Sequence, residues 1–205
     1  YERIADDVAA LLPRAEPAGH KYTRGVVGLR TGSATYPGAA VLSVAGANCG
    51  LSGMVRYVGS AADAVQAAHP EVVVGPGKVQ TWVVGSGGSG EATSALKASL
   101  GDGCPVVVDA DALLPYQRTN LRLRSSAPVV LTPHAGELAR MLNVEREDVE
   151  ARQLHFARAA AEKYDAVVLL KGRRSIIAEP GSERVVVNTT GVPWLPANPN
   201  YREIN

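Results

Sequence analysis

Two aspartates follow a short β-rich run and could serve at a ligand site. The run is Val106–Val108, and Asp109 and Asp111 come directly after it. Asp111 is equally well explained as the N-cap of the next helical turn, which is a purely structural role. In that arrangement Asp109 points into the crevice beyond the strand.

A histidine and a basic turn follow two later β-rich runs. His134 comes after Val129–Leu131, where it can donate or accept a proton near neutral pH, although a half-exposed loop histidine is an equal alternative. Glu137 starts the next helix. The turn at residues 171–175, which reads KGRRS, follows Val167–Leu170. It either lies over the phosphates and sugar of a nucleotide or is a solvated turn.

Two glycine-rich turns could allow a ligand to approach the backbone. The first, at residues 30–39, reads RTGSATYPGA, and the second, at residues 85–90, reads GSGGSG. Free amides at the start of the following helix favour anions. The bland alternatives are a plain βα turn for the first and a flexible connector for the second. The second turn is a weak match to a dinucleotide fingerprint, because it comes late in the chain.

The elements that must position these turns are predicted from the spacing of apolar residues. Helical spacing predicts helices at residues 2–12, 61–68, 91–100, 136–142 and 146–163, and an Ala-rich helix opening at Pro37. Short apolar runs predict strands at residues 25–29, 54–58, 72–74, 82–84, 106–108, 129–131, 167–170, 175–178 and 184–187. The last three have no helix between them, so they pair antiparallel. The predicted fold class is α/β: a three-layer α/β/α domain whose mostly parallel sheet has an antiparallel hairpin edge.

Because ligands bind beyond the carboxyl ends of the strands in such sheets, we expect these turns to share one edge. The chain has 205 residues, about one domain, and is 46% hydrophobic and 20% charged. Its formal net charge of +1 excludes a strong field for nucleic acid or anionic membrane, so we expect a small-molecule ligand. Cys49 and Cys104 lack metal-ligand spacing and are expected to be small buried residues. Without a signal peptide or an 18-residue apolar run, the protein is predicted to be cytoplasmic.

Seven motifs, in order, resemble those of the NAD(P)H-hydrate dehydratase family, whose members have a ribokinase-like fold. The motifs are HKYTRG at 20–25, GSATYPGAA at 32–40, WVVGSG at 82–87, VDADAL at 108–113, LTPHAGE at 131–137, LKG at 170–172 and NTTGVP at 188–193. Each motif is modest alone, but the order and spacing across residues 20–195 are specific.

The resemblance implies repair of hydrated NADH or NADPH (NADHX and NADPHX) at the expense of ADP or ATP with Mg²⁺. It implies that Ala39, Tyr36, Gly87 and His134 bind the hydrate. It further implies nucleotide-binding residues: Lys171, Gly172, Arg173, Arg174, Ser175 and Asn188. By analogy with ribokinase-like enzymes, Glu137 would order Mg²⁺ through water.

The end of the chain departs from the family pattern. The resemblance predicts a Gly-Thr-Gly-Asp turn whose Asp is the general base, whereas residues 196–205 read PANPNYREIN. We therefore expect an incomplete dehydratase-like domain at 1–195 and a divergent tail at 196–205. In this form we expect little activity, since removing a general base costs ~10² to 10⁴ in rate. Missing terminal helices would also uncover one face of the sheet.

Two other functions remain open. A catalytically inactive nucleotide-binding module would retain the pockets without the base, and a kinase of a small alcohol would retain the fold with another substrate. The YPGA loop at 36–39 resembles the dehydratases more closely than such kinases. The resemblance also implies a homo-oligomer, a tetramer in many members, and an epimerase domain fused upstream. The start at Tyr1 rather than Met agrees with an upstream portion.

Overall fold

The computed structural model describes residues 18–49, 52–118 and 127–189, together with residues 9 and 12. The helix predicted at residues 2–12 lies outside the described residues except for Ala9 and Leu12. The tail predicted at residues 196–205 lies wholly outside them.

The described residues form nine strands and seven α-helices in an alternating order. The strands are β1 (Val26–Arg30), β2 (Met54–Tyr57), β3 (Val73–Val74), β4 (Thr81–Val84), β5 (Val106–Val108), β6 (Val129–Leu131), β7 (Val167–Leu170), β8 (Ser175–Ala178) and β9 (Val185–Asn188). The helices are α1 (Pro37–Asn48), α2 (Ala62–Ala68), α3 (Ala92–Gly101), α4 (Leu113–Arg118), α5 (Ala135–Leu142), α6 (Arg146–Ala151) and α7 (Gln153–Tyr164). Two short 3₁₀ turns, Ser89–Glu91 and Ala110–Ala112, precede α3 and α4.

All nine strands belong to one sheet in the order β3-β2-β1-β4-β5-β6-β7-β8-β9. All neighbouring pairs among β1 to β7 are parallel, whereas the β7–β8 and β8–β9 pairs are antiparallel. This confirms the predicted mostly parallel sheet with an antiparallel edge. The carboxyl ends of the parallel strands therefore meet at one rim.

The two faces of the sheet are covered differently. Under α3, α4, α5 and α7, a continuous core buries alternate strand residues such as Val84, Val108, Leu131 and Leu170. On the opposite face a smaller core joins β1 and β2 to α1 and α2. Farther along that face, apolar side chains in register across β4 to β8 are only half-buried; they include Val83, Val107, Val130, Leu169 and Ile177.

The predicted helix at 146–163 is wrong in one respect, because the structure divides it into α6 and α7. The backbone of Arg152 leaves the helical region, with φ −133° and ψ 48°. No Gly or Pro marks the break. The Arg152 guanidinium lies 5.0 Å from the centre of the Phe156 ring, so packing rather than helix propensity accompanies the change in direction.

The expectation that both cysteines are buried is also wrong. Cys49 is exposed, and Cys104 is half-buried. Cys49 immediately follows the last residue of α1, and Cys104 lies in the turn before β5, where it packs against the edge of the larger core without being fully buried. None of the helices in the described part of the chain has the length and apolar character needed to cross a bilayer.

Candidate functional site

The turns that follow β1 and β4 are joined at the rim. The backbone N–H of Gly32 donates to the carbonyl of Ser86 at 2.7 Å. A Cβ placed on Gly87 would lie 2.4 Å from the Ala39 Cβ and 3.3 Å from the Tyr36 Cβ. Three of the four residues expected to bind the hydrate are therefore neighbours in space.

Only glycine fits the close approach of these turns. Gly87 has φ +62°, which an L side chain rarely adopts, and no room for a Cβ. Gly85 has φ +118°, and a Cβ there would lie 1.9 Å from the carbonyl oxygen of Asp109. The glycine density of the turn at 85–90 thus has a steric cause.

Asp111 does not cap the turn that follows it, and this expectation is corrected. It lies inside the 3₁₀ turn Ala110–Ala112. Its Oδ2 atom instead accepts the backbone N–H of Ser89 at 2.8 Å, so the carboxylate holds the glycine-rich turn after β4. In the folded protein the Asp111 carboxylate accepts a hydrogen bond from Ser89 on a neighbouring turn, rather than from the helical turn of which Asp111 is part.

His134 is the N-cap of α5, and Glu137 completes a capping box. The His134 Nδ1 atom accepts the N–H groups of Gly136 at 3.0 Å and Glu137 at 3.3 Å. The Glu137 Oε2 atom accepts the N–H of His134 at 2.8 Å. Since Nδ1 accepts, the neutral ring carries its proton on Nε2, which faces the Glu137 Oε1 atom at 3.6 Å.

Burial lowers the pKa of His134 below its ordinary value, because desolvation disfavours the charged ring. The Glu137 carboxylate opposes this shift, whereas Lys171, Arg140 and Arg146 reinforce it. The ring is therefore neutral at pH 7, and its Nε2–H group can donate a hydrogen bond without adding charge to the rim.

This lowered pKa predicts a pH dependence of stability. The unfolded chain takes up the proton first, near the ordinary value of 6.5, so the stabilising effect is complete above that pH. It is lost as the pH falls from there through the lower folded-state pKa. We expect the wild-type protein to lose more unfolding free energy than His134→Asn between pH 7.5 and 5, as measured by urea denaturation. Parallel pH profiles for the two proteins would contradict this assignment.

Lys171 joins the rim from the end of β7. Its backbone N–H donates to the Pro133 carbonyl at 2.8 Å, and it pairs with His134 in an isolated parallel bridge. Its ammonium donates to the Asp109 Oδ1 atom at 2.6 Å and lies 3.9 Å from the Glu137 Oε2 atom. Two predicted site residues, His134 and Lys171, are thus side by side.

The rest of the predicted nucleotide-binding set lies beyond Lys171. Gly172, Arg173 and Arg174 are exposed in the turn between β7 and β8. Ser175 and Asn188 are directly paired in the β8–β9 register. The structure brings this set together at the antiparallel edge, next to the rim.

A cleft of about 420 Å³ runs from the rim down the sheet face beside α1. Ser86 and Asp109 line it at the rim, and Val27, Leu29 and Val83 form its apolar floor. Apolar walls with a few polar groups at one end are typical of small-molecule sites. The cleft opens beside the glycine turns.

The sequence reasoning missed Thr132, and it expected Asp109 to point into the crevice without giving it a role in the predicted set. The Asp109 Oδ1 atom accepts the Thr132 hydroxyl at 2.8 Å as well as the Lys171 ammonium. A signal was available, since Asp109, Thr132 and Lys171 each come directly after the last residue of a strand. In the described part of the chain no group of three or more His, Cys, Asp or Glu side chains could hold a metal by itself.

The fold and the rim define an α/β protein with a mostly parallel sheet whose strand ends gather polar side chains. A ribokinase-like superfamily protein from Enterococcus faecalis shares the fold, with a TM-score of 0.74 at 23% identity over 89% of this chain and 69% of that one. The model of the NAD(P)H-hydrate dehydratase family matches residues 27–197, and the chain belongs to that family.

Named relatives agree with this membership. A bifunctional NAD(P)H-hydrate repair enzyme Nnr from Mycobacterium tuberculosis is 45% identical over 198 residues, which are 93% of this chain but 41% of that protein. The chain therefore spans about two fifths of the length of this relative. The ADP-dependent (S)-NAD(P)H-hydrate dehydratase of Bacillus subtilis is 31% identical over 91% of this chain and 71% of its own length. A crystal structure of the Bacillus subtilis ADP/ATP-dependent enzyme, co-crystallized with ATP/Mg²⁺, has a TM-score of 0.83 at 28% identity, covering 93% of this chain and 73% of that one.

Proposed function

We propose that this chain carries the ADP-dependent (S)-NAD(P)H-hydrate dehydratase unit of its protein. The observation that carries the proposal is the family match over residues 27–197 together with a rim that gathers Gly87, His134 and Lys171. The proposed substrates are NADHX and NADPHX, and the proposed phosphoryl donor is ADP or ATP.

The chemistry explains why a nucleotide is needed for a dehydration. Hydroxide is a poor leaving group, so the C6 hydroxyl oxygen attacks the terminal phosphorus of the nucleotide and its proton passes to a base. The ring nitrogen then donates electrons, the C6–O bond breaks and phosphate leaves, and loss of a C5 proton to a base restores the C5=C6 double bond. With ADP the products are the repaired cofactor, AMP and phosphate. The protein must align donor and hydroxyl and stabilise the negative charge.

The described residues divide this task between two sides of the rim. On the hydrate side we propose Ala39, Tyr36, Gly87 and His134, where glycine lets the ligand approach the backbone and the neutral imidazole offers a hydrogen bond. On the nucleotide side we propose the cationic and hydroxyl groups of the β7–β8 turn with its β9 neighbour: Lys171, Gly172, Arg173, Arg174, Ser175 and Asn188.

The Glu137 carboxylate at the rim suits a Mg²⁺ ion that arrives with a nucleotide. Mg²⁺ is bound through one or two carboxylates plus phosphates and keeps several waters. The Glu137 Oε1 atom is a hard oxygen donor, and its neighbour is the His134 ring nitrogen Nε2 at 3.6 Å. We propose that Glu137 orders the ion through water, and the bound ion would neutralise charge on the phosphates.

The test of the proposed function is an assay with hydrated NADH, ADP or ATP, and Mg²⁺. Recovery of absorbance at the reduced nicotinamide band, dependent on nucleotide, is the expected result. The protein used is the full-length chain, because the segment here is about two fifths of its longer relatives. Nucleotide-independent recovery, or none at all, would reject the dehydratase assignment.

His134→Ala in that protein should weaken binding of the hydrate about tenfold, since one hydrogen bond to the ligand is lost. ADP affinity should stay within about twofold of wild type. Both dissociation constants are measured by calorimetry in the absence of the other ligand. Equal losses of affinity for the hydrate and for ADP would contradict the assignment of His134 to the hydrate side of the rim.

The matched control separates binding from folding. His134→Asn retains a side-chain acceptor at the N-cap, so it should keep most of the stability that His134→Ala loses, about 1 kcal/mol. Both variants should show the same weak hydrate binding. Full hydrate affinity in His134→Asn would mean that the alanine effect came from the unfolded cap.

An inactive nucleotide-binding module is the less favoured alternative, because the relatives named above are enzymes over the same segment. The same assay discriminates the two: the module would bind ADP without turnover. We also propose that the full-length protein carries the upstream epimerase, as the bifunctional name of the Mycobacterium tuberculosis relative suggests, and that it assembles as a homo-oligomer.

A further inference from the structure

The Asp109 carboxylate is held by two donors that come from two other strand ends. Its Oδ1 atom accepts the Lys171 ammonium at 2.6 Å and the Thr132 hydroxyl at 2.8 Å. The side chain of Asp109 is 27% exposed and that of Lys171 is 40% exposed. The arrangement is therefore at the surface of the rim and accessible to a ligand.

Backbone hydrogen bonds fix the positions of Asp109 and Thr132 at the ends of their strands. The N–H of Asp109 donates to the Val84 carbonyl at 3.0 Å, and the N–H of Thr132 donates to the Val108 carbonyl at 3.0 Å. These bonds extend the parallel ladders by one residue, so the three side chains leave the sheet on the face of Val107, Val130 and Leu169. Strand register, rather than loop conformation, brings them together.

Stability alone is a weak reason for this ion pair. A pair this exposed contributes ~0 to 1 kcal/mol, because water screens it and a long side chain must be ordered. An isolated carboxylate beside the nucleotide turn would also repel phosphate. The small contribution to stability and the expected repulsion of phosphate are both explained if the Asp109 carboxylate holds the flexible Lys171 ammonium in one place.

We infer that Asp109 is a positioning residue, which fixes the Lys171 ammonium where the phosphate chain of the nucleotide binds, while the Thr132 hydroxyl orients Asp109. The inference rests on the proposed function and goes beyond it, because it assigns roles to two residues outside the predicted site. Asp109 acts through Lys171 and makes no nucleotide contact of its own.

A double-mutant cycle tests this inference. ADP affinity is measured by calorimetry for the wild-type full-length protein, Asp109→Ala, Lys171→Met and the double variant. We expect Asp109→Ala to weaken ADP binding about tenfold when Lys171 is present. In the Lys171→Met background the same change should have less than about a twofold effect. Adenosine, followed by saturation-transfer NMR, should bind all four proteins alike because it has no phosphate.

The remaining outcomes reject the inference. Equal ADP losses in both backgrounds would mean that Asp109 meets the nucleotide or its metal directly, and unchanged or tighter ADP binding in Asp109→Ala would mean that it only repels phosphate. A parallel loss for adenosine would indicate a structural role. If the wild-type protein bound no ADP, the proposed function would lose its nucleotide. That result differs from every outcome that concerns Asp109 alone, so the two failures can be told apart.

Three further variants separate these roles from misfolding. Asp109→Asn keeps the shape of the side chain and should show the same loss in ADP affinity. It takes the place of Asp109→Ala in the cycle if Asp109→Ala does not fold. Thr132→Val should weaken ADP binding in the same direction, whereas Thr132→Ser retains the hydroxyl and should bind ADP as wild type does. A Thr132→Ser variant as weak as Thr132→Val would contradict the role of the hydroxyl.

Discussion

Gly87→Val should weaken binding of the hydrate by about 100-fold or more, the largest functional effect expected of a single substitution at the rim. A Cβ at this position meets the Ala39 Cβ at 2.4 Å, and the backbone has φ +62°. The turns after β1 and β4 must then separate, although the hydrogen bond from Gly32 to Ser86 holds them at 2.7 Å. Calorimetry with hydrated NADH, without nucleotide, measures the loss.

The control comes from the same turn. A Cβ on Gly90 has nothing within 4 Å, and its φ lies outside the left-handed range. Gly90→Val should therefore bind the hydrate within about threefold of wild type, because the side chain enters open space. Wild-type affinity in Gly87→Val would reduce the turn to a simple connector and remove it from the site.

Trp82→Ala should lower the free energy of unfolding by about 3 to 5 kcal/mol, the range for deleting a buried aromatic side chain. Trp82 is 2% exposed. Its indole N–H donates to the Asp102 Oδ2 atom at 2.8 Å, and the Arg30 guanidinium lies 3.8 Å from the ring centre. Gly28 leaves the space for the ring, since a Cβ there would approach it to 2.5 Å. Guanidinium denaturation measures the change.

Two controls bracket this effect. Trp82→Phe keeps an aromatic ring over Gly28 but loses the hydrogen bond to Asp102, so we expect a smaller cost of about 1 to 2 kcal/mol. Leu42→Ala changes a side chain that is 75% exposed and should cost less than about 0.5 kcal/mol. A Trp82→Ala cost equal to that of Leu42→Ala would contradict the assigned packing.

Local patterns in the sequence were sufficient for most of the sheet. The apolar runs at residues 106–108, 129–131, 167–170 and 175–178 predicted β5 to β8 with the bounds observed. Their success has a simple cause, because a short run of β-branched and other apolar residues bounded by turn residues is typical of a strand. The antiparallel edge followed from the lack of a helix between the last three runs.

The division between α6 and α7 could not be predicted in the same way. Residues 146–163 keep helical spacing throughout, and the break at Arg152 contains no Gly or Pro. A local pattern reports which face of a helix is apolar. It does not report where the surface beneath that face changes direction, so the break was missed.

The candidate site shows the same division. The motifs predicted that Gly87, His134 and Lys171 lie at strand ends, and parallel pairing places these ends at one rim. The sequence could not predict individual hydrogen-bond partners. Asp111 is an example, because its carboxylate accepts the backbone N–H of Ser89 on a neighbouring turn. Partner choice depends on distances of tenths of an ångström between segments far apart in the chain.

The amino-acid sequence by itself determined the class of fold and the turns that carry the candidate site, because hydrophobic period and glycine positions are local properties. The resemblance of seven ordered motifs indicated the family. Only the tertiary structure decided that Asp109 binds Lys171 and Thr132, residues 62 and 23 positions away. Long-range pairs of this kind depend on strand order and register. These are set by the packing of the whole sheet, and no short segment encodes them alone.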